Sequence, residues 1–293
     1  MYNQIETNKR RSFILIFLFI LIIVLIGWVI GEITDYGYGI LIFAVALSVG
    51  MSLTGYYSGD KIALAVAGAK LTKKEENPYV YRMVENVAIT AGIQTPKVYI
   101  IDDPGMNAFA TGRKPELSSV AVTKGLIDNL ENEELEAVIA HEISHIKNFD
   151  IRLMTLVGVL VGVIVLVSDL FFRSMLFGGR NRNNKTHPAI MIAGVILIIL
   201  SPIIAQIIKL TVSRKREFLA DASGALLTRY PEGLARALEK IGKQTTPLKH
   251  ANNATAHLYI ASPFGGKAGK GIAKLFSTHP PIEERIKELR RMA

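Results

Sequence analysis

Phe13 to Ile30 are 18 consecutive positions without a charged side chain, and Gly39 to Tyr57 form a second uncharged run. A helix rises about 1.5 Å per residue, so each run is close to the thickness of a bilayer's hydrocarbon core. The chain is thereby restricted to folds that embed or bury two long apolar helices. Lys9, Arg10 and Arg11 precede the first run, and Lys61, Lys70, Lys73 and Lys74 follow the second. The connection Gly31 to Tyr38 holds Glu32 and Asp35 but no basic residue, so the positive-inside rule puts both ends of this hairpin (1–60) in the cytoplasm. A secretory signal has a shorter apolar core and a small-residue cleavage site, which Gly27-Trp28-Val29-Ile30 does not offer. The first run therefore reads as an uncleaved anchor, with Trp28, Tyr36, Tyr38, Tyr56 and Tyr57 as interface residues.

Two more apolar runs, Leu153 to Phe172 and Pro188 to Leu210, lie inside segment 151–210. Arg173, Arg180, Arg182 and Lys185 between them would be on the outer side if both runs crossed, so the segment is either a transmembrane pair or a re-entrant hairpin. The segments 61–150 and 211–293 have the character of one cytoplasmic domain, mainly α with a small β-sheet (α+β). Asn77 to Gly92 suits a helix, Lys97 to Ile101 and Ser118 to Thr123 suit strands, and Asn132 to Asn148 suits a helix with Asn132 as its N-cap. The net charge of +9 falls mostly on the flanks of the apolar runs, and no basic stripe with interleaved aromatics points to nucleic acid.

The stretch His141-Glu142-Ile143-Ser144-His145 carries the chemistry. Residues i and i+4 of a helix lie about 40° apart, so both imidazoles can reach one ion. Glu142 is offset enough to miss ligation and to meet a water instead. Zinc lowers the pKa of such a water towards about 7, and a carboxylate can take its proton during attack on a carbonyl carbon and pass it to the leaving amine. The chain has 0 Cys, so every metal ligand must be a His or a carboxylate. The familiar extension with a glycine and a third His is absent, because Asn148 and Ile151 stand in those places. Glu217, in Arg214-Lys215-Arg216-Glu217-Phe218-Leu219-Ala220-Asp221, is the candidate third ligand. Asp221, one turn later on the same face, suits a carboxylate that supports a ligating His. Taken alone, this acidic pair among basic residues also reads as a solvated ion-pair face; beside the His pair, the ligand reading is preferred.

Together these features resemble the HtpX-type membrane zinc metallopeptidases, in the larger group that includes the CAAX prenyl endopeptidases. The resemblance runs through the amino-terminal hairpin, Asn107-Ala108-Phe109-Ala110-Thr111-Gly112, the His141 to His145 helix with Asn148 and Asp150, Ser213-Arg214 to Asp221, and Ser277-Thr278-His279-Pro280-Pro281. It implies a gluzincin-type metallopeptidase domain with transmembrane helices. One zinc ion per chain would sit on His141, His145 and Glu217, with Glu142 as general base and Asp221 behind a His ligand, His141 being the first choice. It also implies a multi-pass protein of the bacterial cytoplasmic membrane, acting on misfolded or damaged membrane proteins in stress and quality control. Independently, His145 and Glu217 flank both doubtful apolar runs, and only an even number of crossings lets them meet at one ion.

Asn107, Ala108 and Phe109 resemble the family's edge strand beside the active site, where substrate backbone could pair; an ordinary turn between Gly105 and Gly112 is the alternative. His279 either stabilises an oxyanion or gates the metal, or it is a plain helix-start residue before Pro280-Pro281. Arg285 reads as a surface or structural cation, and His187, His250 and His257 as surface residues. The expected partners are protein substrates and the lipid bilayer. The competing functions are a non-enzymatic membrane adaptor and a prenyl-protein-processing endopeptidase.

Overall fold

The computed structural model describes residues 2–34, 38–160, 214–252, 255–265 and 280–292. His279, His187 and most of segment 151–210 lie outside them. The elements are α1 (Tyr2–Thr34), α2 (Tyr38–Val66), β1 (Ala69–Leu71), α3 (Pro78–Ala91), β2 (Lys97–Ile101), β3 (Ala108–Gly112), β4 (Ser118–Thr123), α4 (Lys124–Asn129) and α5 (Asn132–Lys147). A helix over 150–160 (α6) follows, then α7 (Arg214–Thr228), α8 (Pro231–Gly242) and α9 (Ile282–Arg290).

The helices α1 and α2 pair along their length. Leu15, Ile16, Phe19 and Ile23 of α1 join Met51 of α2 and Leu156 and Leu160 of α6 in one apolar cluster. Phe13, Phe17, Ile42, Phe43 and Leu53 face outward and are more than half exposed. A row of large apolar side chains of this kind marks a surface made for something other than water. Among the described residues, one stretch, Ile42–Val66, is long and apolar enough to cross a membrane. The first part of the run from Leu153 is not free to face lipid, because Leu153, Met154, Leu156, Val157 and Leu160 are buried in protein. The close crossing of α2 and α6 depends on Gly59, where a Cβ would lie 2.9 Å from Thr155 Cγ2.

The sheet has the order β1-β2-β4-β3. The strands β2 and β4 are parallel, with Val98 opposite Val120, while β3 runs antiparallel to β4, with Phe109 opposite Ala121. Ala108 to Gly112 is thus strand and not turn, with Asn107 just before it, and β3 ends the sheet. The outer side of β3 is partly taken. Ile260 N–H donates to the Ala108 carbonyl at 3.0 Å, and Asn107 Nδ2 donates to the Ala261 carbonyl at 3.0 Å.

Each predicted helix start has a chemical cause. Asn77 Oδ1 accepts the Val80 N–H, Pro78 needs no amide partner, and Gly92 closes α3 at φ 71°. The cap of α5 is displaced by one from the expected Asn132. Glu131 takes that position and Glu134 accepts its N–H at 2.9 Å, while Asn132 Oδ1 accepts the Tyr79 hydroxyl. The helix α5 packs against β3 and β4 and against α3, α7 and α8. Val138, Ile139, Ala140, Ile143 and Ile146 are therefore all buried, and the two histidines are fixed in the centre of the domain.

Candidate metal centre

His141, Glu142 and His145 are each less than 5% exposed on α5. The Nε2 atoms of the two histidines face one another at 3.2 Å. From α7, Glu217 brings Oε1 to 3.6 Å from His145 Nε2 and Oε2 to 3.9 Å from His141 Nε2. Gly224 makes this approach possible, since a Cβ there would lie 3.0 Å from the His141 backbone nitrogen.

The remaining nitrogen of each ring meets a carboxylate. His141 Nδ1 lies 2.9 Å from Asp221 Oδ1, and His145 Nδ1 lies 3.1 Å from Asp150 Oδ2. Asp221 follows Glu217 by one turn and so serves the same metal site from behind. Asp150 reaches its histidine by another route. On a continuous helix it would point about 140° away from His145, but Phe149 adopts φ 59°, breaks α5 from α6 and turns Asp150 back. Asn8 of α1 completes this side, with Nδ2 donating to Asp150 Oδ1 at 2.8 Å and to the Asn148 carbonyl at 3.2 Å.

Arg285 of α9 is fully buried and grips Asp221 with both arms, Nε to Oδ2 at 2.9 Å and Nη2 to Oδ1 at 2.7 Å. Its Nη1 donates to the Ile260 carbonyl at 2.9 Å. Of the two readings of Arg285, the structural cation holds and the surface one is corrected, because the guanidinium is buried against Asp221 and the Ile260 carbonyl. A sequence signal was present: Arg285 falls within the apolar stripe Ile282, Ile286 and Leu289 of α9. The surface reading of His257 is corrected too. It is fully buried, with Nε2 2.8 Å from the Met154 carbonyl, while His250 is exposed.

The donor set fits a metal ion. With the Nδ1 of each ring facing a carboxylate, the two Nε2 atoms and the Glu217 carboxylate converge, and each can offer a lone pair to one ion. One atom from each of His141, His145 and Glu217 falls within 4.8 Å of the others. Tetrahedral zinc with bonds of about 2.0–2.1 Å would hold two nitrogens roughly 3.3 Å apart, close to the 3.2 Å found here. The electrostatics agree. Burial alone would lower the His145 pKa, but Asp150, Glu217 and Glu142 override it and raise it to about 9, so the site favours positive charge. Burial, with help from Glu217, raises Glu142 to about 7, against opposing effects of His145, Arg285 and the Ala110 N–H that donates to it. Burial works against an ionised Asp221, yet Arg285 and His141 hold its carboxyl well below the usual range.

All the expected metal and base residues are therefore brought together, with Asp221 behind His141. Ala108 and Phe109 lie on β3, the strand that borders Glu142, and Asn107 immediately precedes it. His279 lies outside the described residues.

Comparison with known proteins agrees with this geometry. Residues 74–293 match the model of peptidase family M48. A "Protease HtpX homolog" of Dictyoglomus thermophilum is 47% identical, over 99% of this chain and 94% of its own. Proteins of the same name from Caldanaerobacter subterraneus subsp. tengcongensis (43%; 100% of this chain, 98% of theirs) and Streptococcus pneumoniae (39%; 100% of both) are also similar. The crystal structure of Ste24p from S. mikatae superposes with a TM-score of 0.50 at 19% identity, covering 99% of this chain and 67% of that one, which shows a shared fold. The chain belongs to peptidase family M48, among its HtpX-type proteases.

Proposed function

We propose that this protein is an integral membrane zinc endopeptidase that hydrolyses peptide bonds of misfolded or damaged membrane proteins on the cytoplasmic side. The observation that carries the proposal is the convergence of His141, His145 and Glu217 as buried acceptors with Glu142 beside them. One zinc ion per chain would be held by these three residues, and when bound it supplies Lewis acidity towards a peptide carbonyl and acidifies water.

The other steps belong to the chain. Glu142, lifted to about 7, can accept a proton from a water in the site and return it to the leaving amine. Asp221 and Asp150 fix the tautomers and angles of the two histidines. Arg285 keeps Asp221 ionised and stops the pocket from carrying unbalanced carboxylates. Substrate would be held by main-chain pairing on the outer side of β3 from Ala110 onward, beyond Asn107, Ala108 and Phe109, whose outer side is covered by Tyr259, Ile260 and Ala261. Residues alternate along a strand, so the Ala110 N–H and carbonyl face the same way as the Ala108 carbonyl, towards Glu142. His279, outside the described residues, would stabilise an oxyanion or gate the metal, or simply start the helix before Pro280-Pro281.

The membrane assignment rests on the outward apolar side chains of α1 and α2 and on the basic flanks of the hairpin. Glu142→Gln should retain about one zinc per chain and lose cleavage of casein and of a membrane substrate. Undiminished cleavage by pure variant protein would overturn the proposal. A single cysteine placed near Arg182 in this Cys-free chain would report by labelling whether segment 151–210 crosses.

A further inference from the structure

Two arginines on separate elements meet where the apolar surface of α2 ends. Arg113 follows β3, and Arg152 lies in the first turn of α6. Arg152 Nε donates to the Arg113 carbonyl at 2.8 Å, which ties the two together. Aromatic faces carry both guanidinium groups. Arg113 lies 4.8 Å from the Tyr57 ring centre and 6.0 Å from that of Tyr56, while Arg152 lies 5.9 Å from Tyr56 and 5.6 Å from Phe149. Among the described residues, no carboxylate forms an ion pair with either arginine, although Asp60 lines the same cleft with Gly55, Gly112 and Thr155. Stacking fixes these planar cations and leaves their N–H edges without an anion.

Their level along α2 selects the ligand. Gly39 to Tyr57 is the uncharged part of that helix, and Asp60 and Lys61 follow it. In a bilayer, Tyr56 and Tyr57 would therefore lie at the cytoplasmic headgroup layer, where phosphates are concentrated. We infer that Arg113 and Arg152, stacked on Tyr56, Tyr57 and Phe149, form a site for the phosphate of an anionic phospholipid. The site rests on the membrane assignment above and extends it to a specific lipid. Two forked cations match phosphate oxygens, and a net-negative headgroup is favoured over a zwitterionic one because its charge is not offset by a choline. The lipid would also touch the peptidase: Arg113 is the residue after Gly112 of β3, and Thr155, one turn beyond Arg152, bonds Thr111 Oγ1 at 2.8 Å and the Gly112 N–H at 3.3 Å.

The test uses the full chain purified in a mild detergent, with lipid adducts counted by native mass spectrometry. Wild type should retain phosphatidylglycerol at least about tenfold better than phosphatidylcholine. Arg113→Gln/Arg152→Gln should lose that preference while keeping its zinc content, which reports an intact fold, and the double Lys variant should restore part of it. Equal retention of the two lipids by wild type, or an unchanged preference in the Gln variant, overturns the site. Displacement of phosphatidylglycerol by millimolar inorganic phosphate would assign the cleft to a free phosphate and overturn the lipid. An alkaline carbonate wash of cell membranes separates the two levels: release of the wild-type chain refutes the membrane assignment itself, whereas retention without lipid preference refutes only this site.

Discussion

Asn8, seven residues into α1, donates its side-chain amide to Asp150 Oδ1 at 2.8 Å, while the other oxygen of that carboxylate lies 3.1 Å from His145 Nδ1. The first helix of the chain thus holds the residue that orients a candidate metal ligand. Asn8→Ala should weaken zinc binding by roughly tenfold, the low end of the range for residues behind a ligand. Competition with a chromophoric chelator measures this directly. An affinity equal to wild type would show that Asp150 holds its place without α1.

Arg285 and Asp221 form a fully desolvated bidentate pair. Removing one partner leaves the other buried and uncompensated, so Arg285→Ala should cost about 3–5 kcal/mol of stability. Arg290, one turn and a half further along α9, pairs with Glu232 and Glu239 at the surface. Arg290→Ala should hardly move the thermal midpoint. Denaturation of both variants in the same detergent makes the comparison.

Burial pulls the His257 pKa down to about 4, and Arg216 assists, against its bond to the Met154 carbonyl. The unfolded chain binds this proton below about 6.5 and the folded chain only below about 4, so stability rises with pH across that window. The contribution is at most roughly 3 kcal/mol, all of it present above about 6.5. His257→Gln can still donate to Met154 and has no proton to gain. Its thermal midpoint should fall less steeply between pH 6.5 and 4 than that of wild type.

The approach of α7 to α5 at Gly224 gives a steric prediction. Gly224→Val should push Glu217 away from the histidines and reduce bound zinc well below one per chain, as read by elemental analysis. Gly39→Ala, where nothing lies within 4 Å of the added methyl, is the control and should leave zinc content unchanged.

The sequence made the centre legible because its signals are local. His141 and His145 share a helix face, Glu217 and Asp221 share another, and Asn77 with Gly92 marks the ends of α3. Asp150 was reachable only through family likeness, since helical spacing points it away from His145 and only the turn at Phe149 reverses that. Asn8 and Asp150 are 142 positions apart, and no periodicity predicts such a meeting. For Arg285 the sequence leaves surface and structural cation open, because its neighbours Glu283, Glu284, Lys287 and Glu288 give α9 the look of a solvated helix. The short segment from Thr255 to Ala261 carried no sequence signal, yet it places His257 in the core and covers part of β3.

That cover limits what the strand can do. An unprotected sheet edge recruits any extended chain, which is a hazard in a crowded cell. With Ile260 bonded to Ala108 and Tyr259 set against Phe109, the outer rail of β3 is shortened from one end, and what remains begins at Ala110, whose N–H donates to Glu142. The open part of the strand is therefore too short to template the growth of a sheet, and on the proposed function it would hold only a single segment close to Glu142.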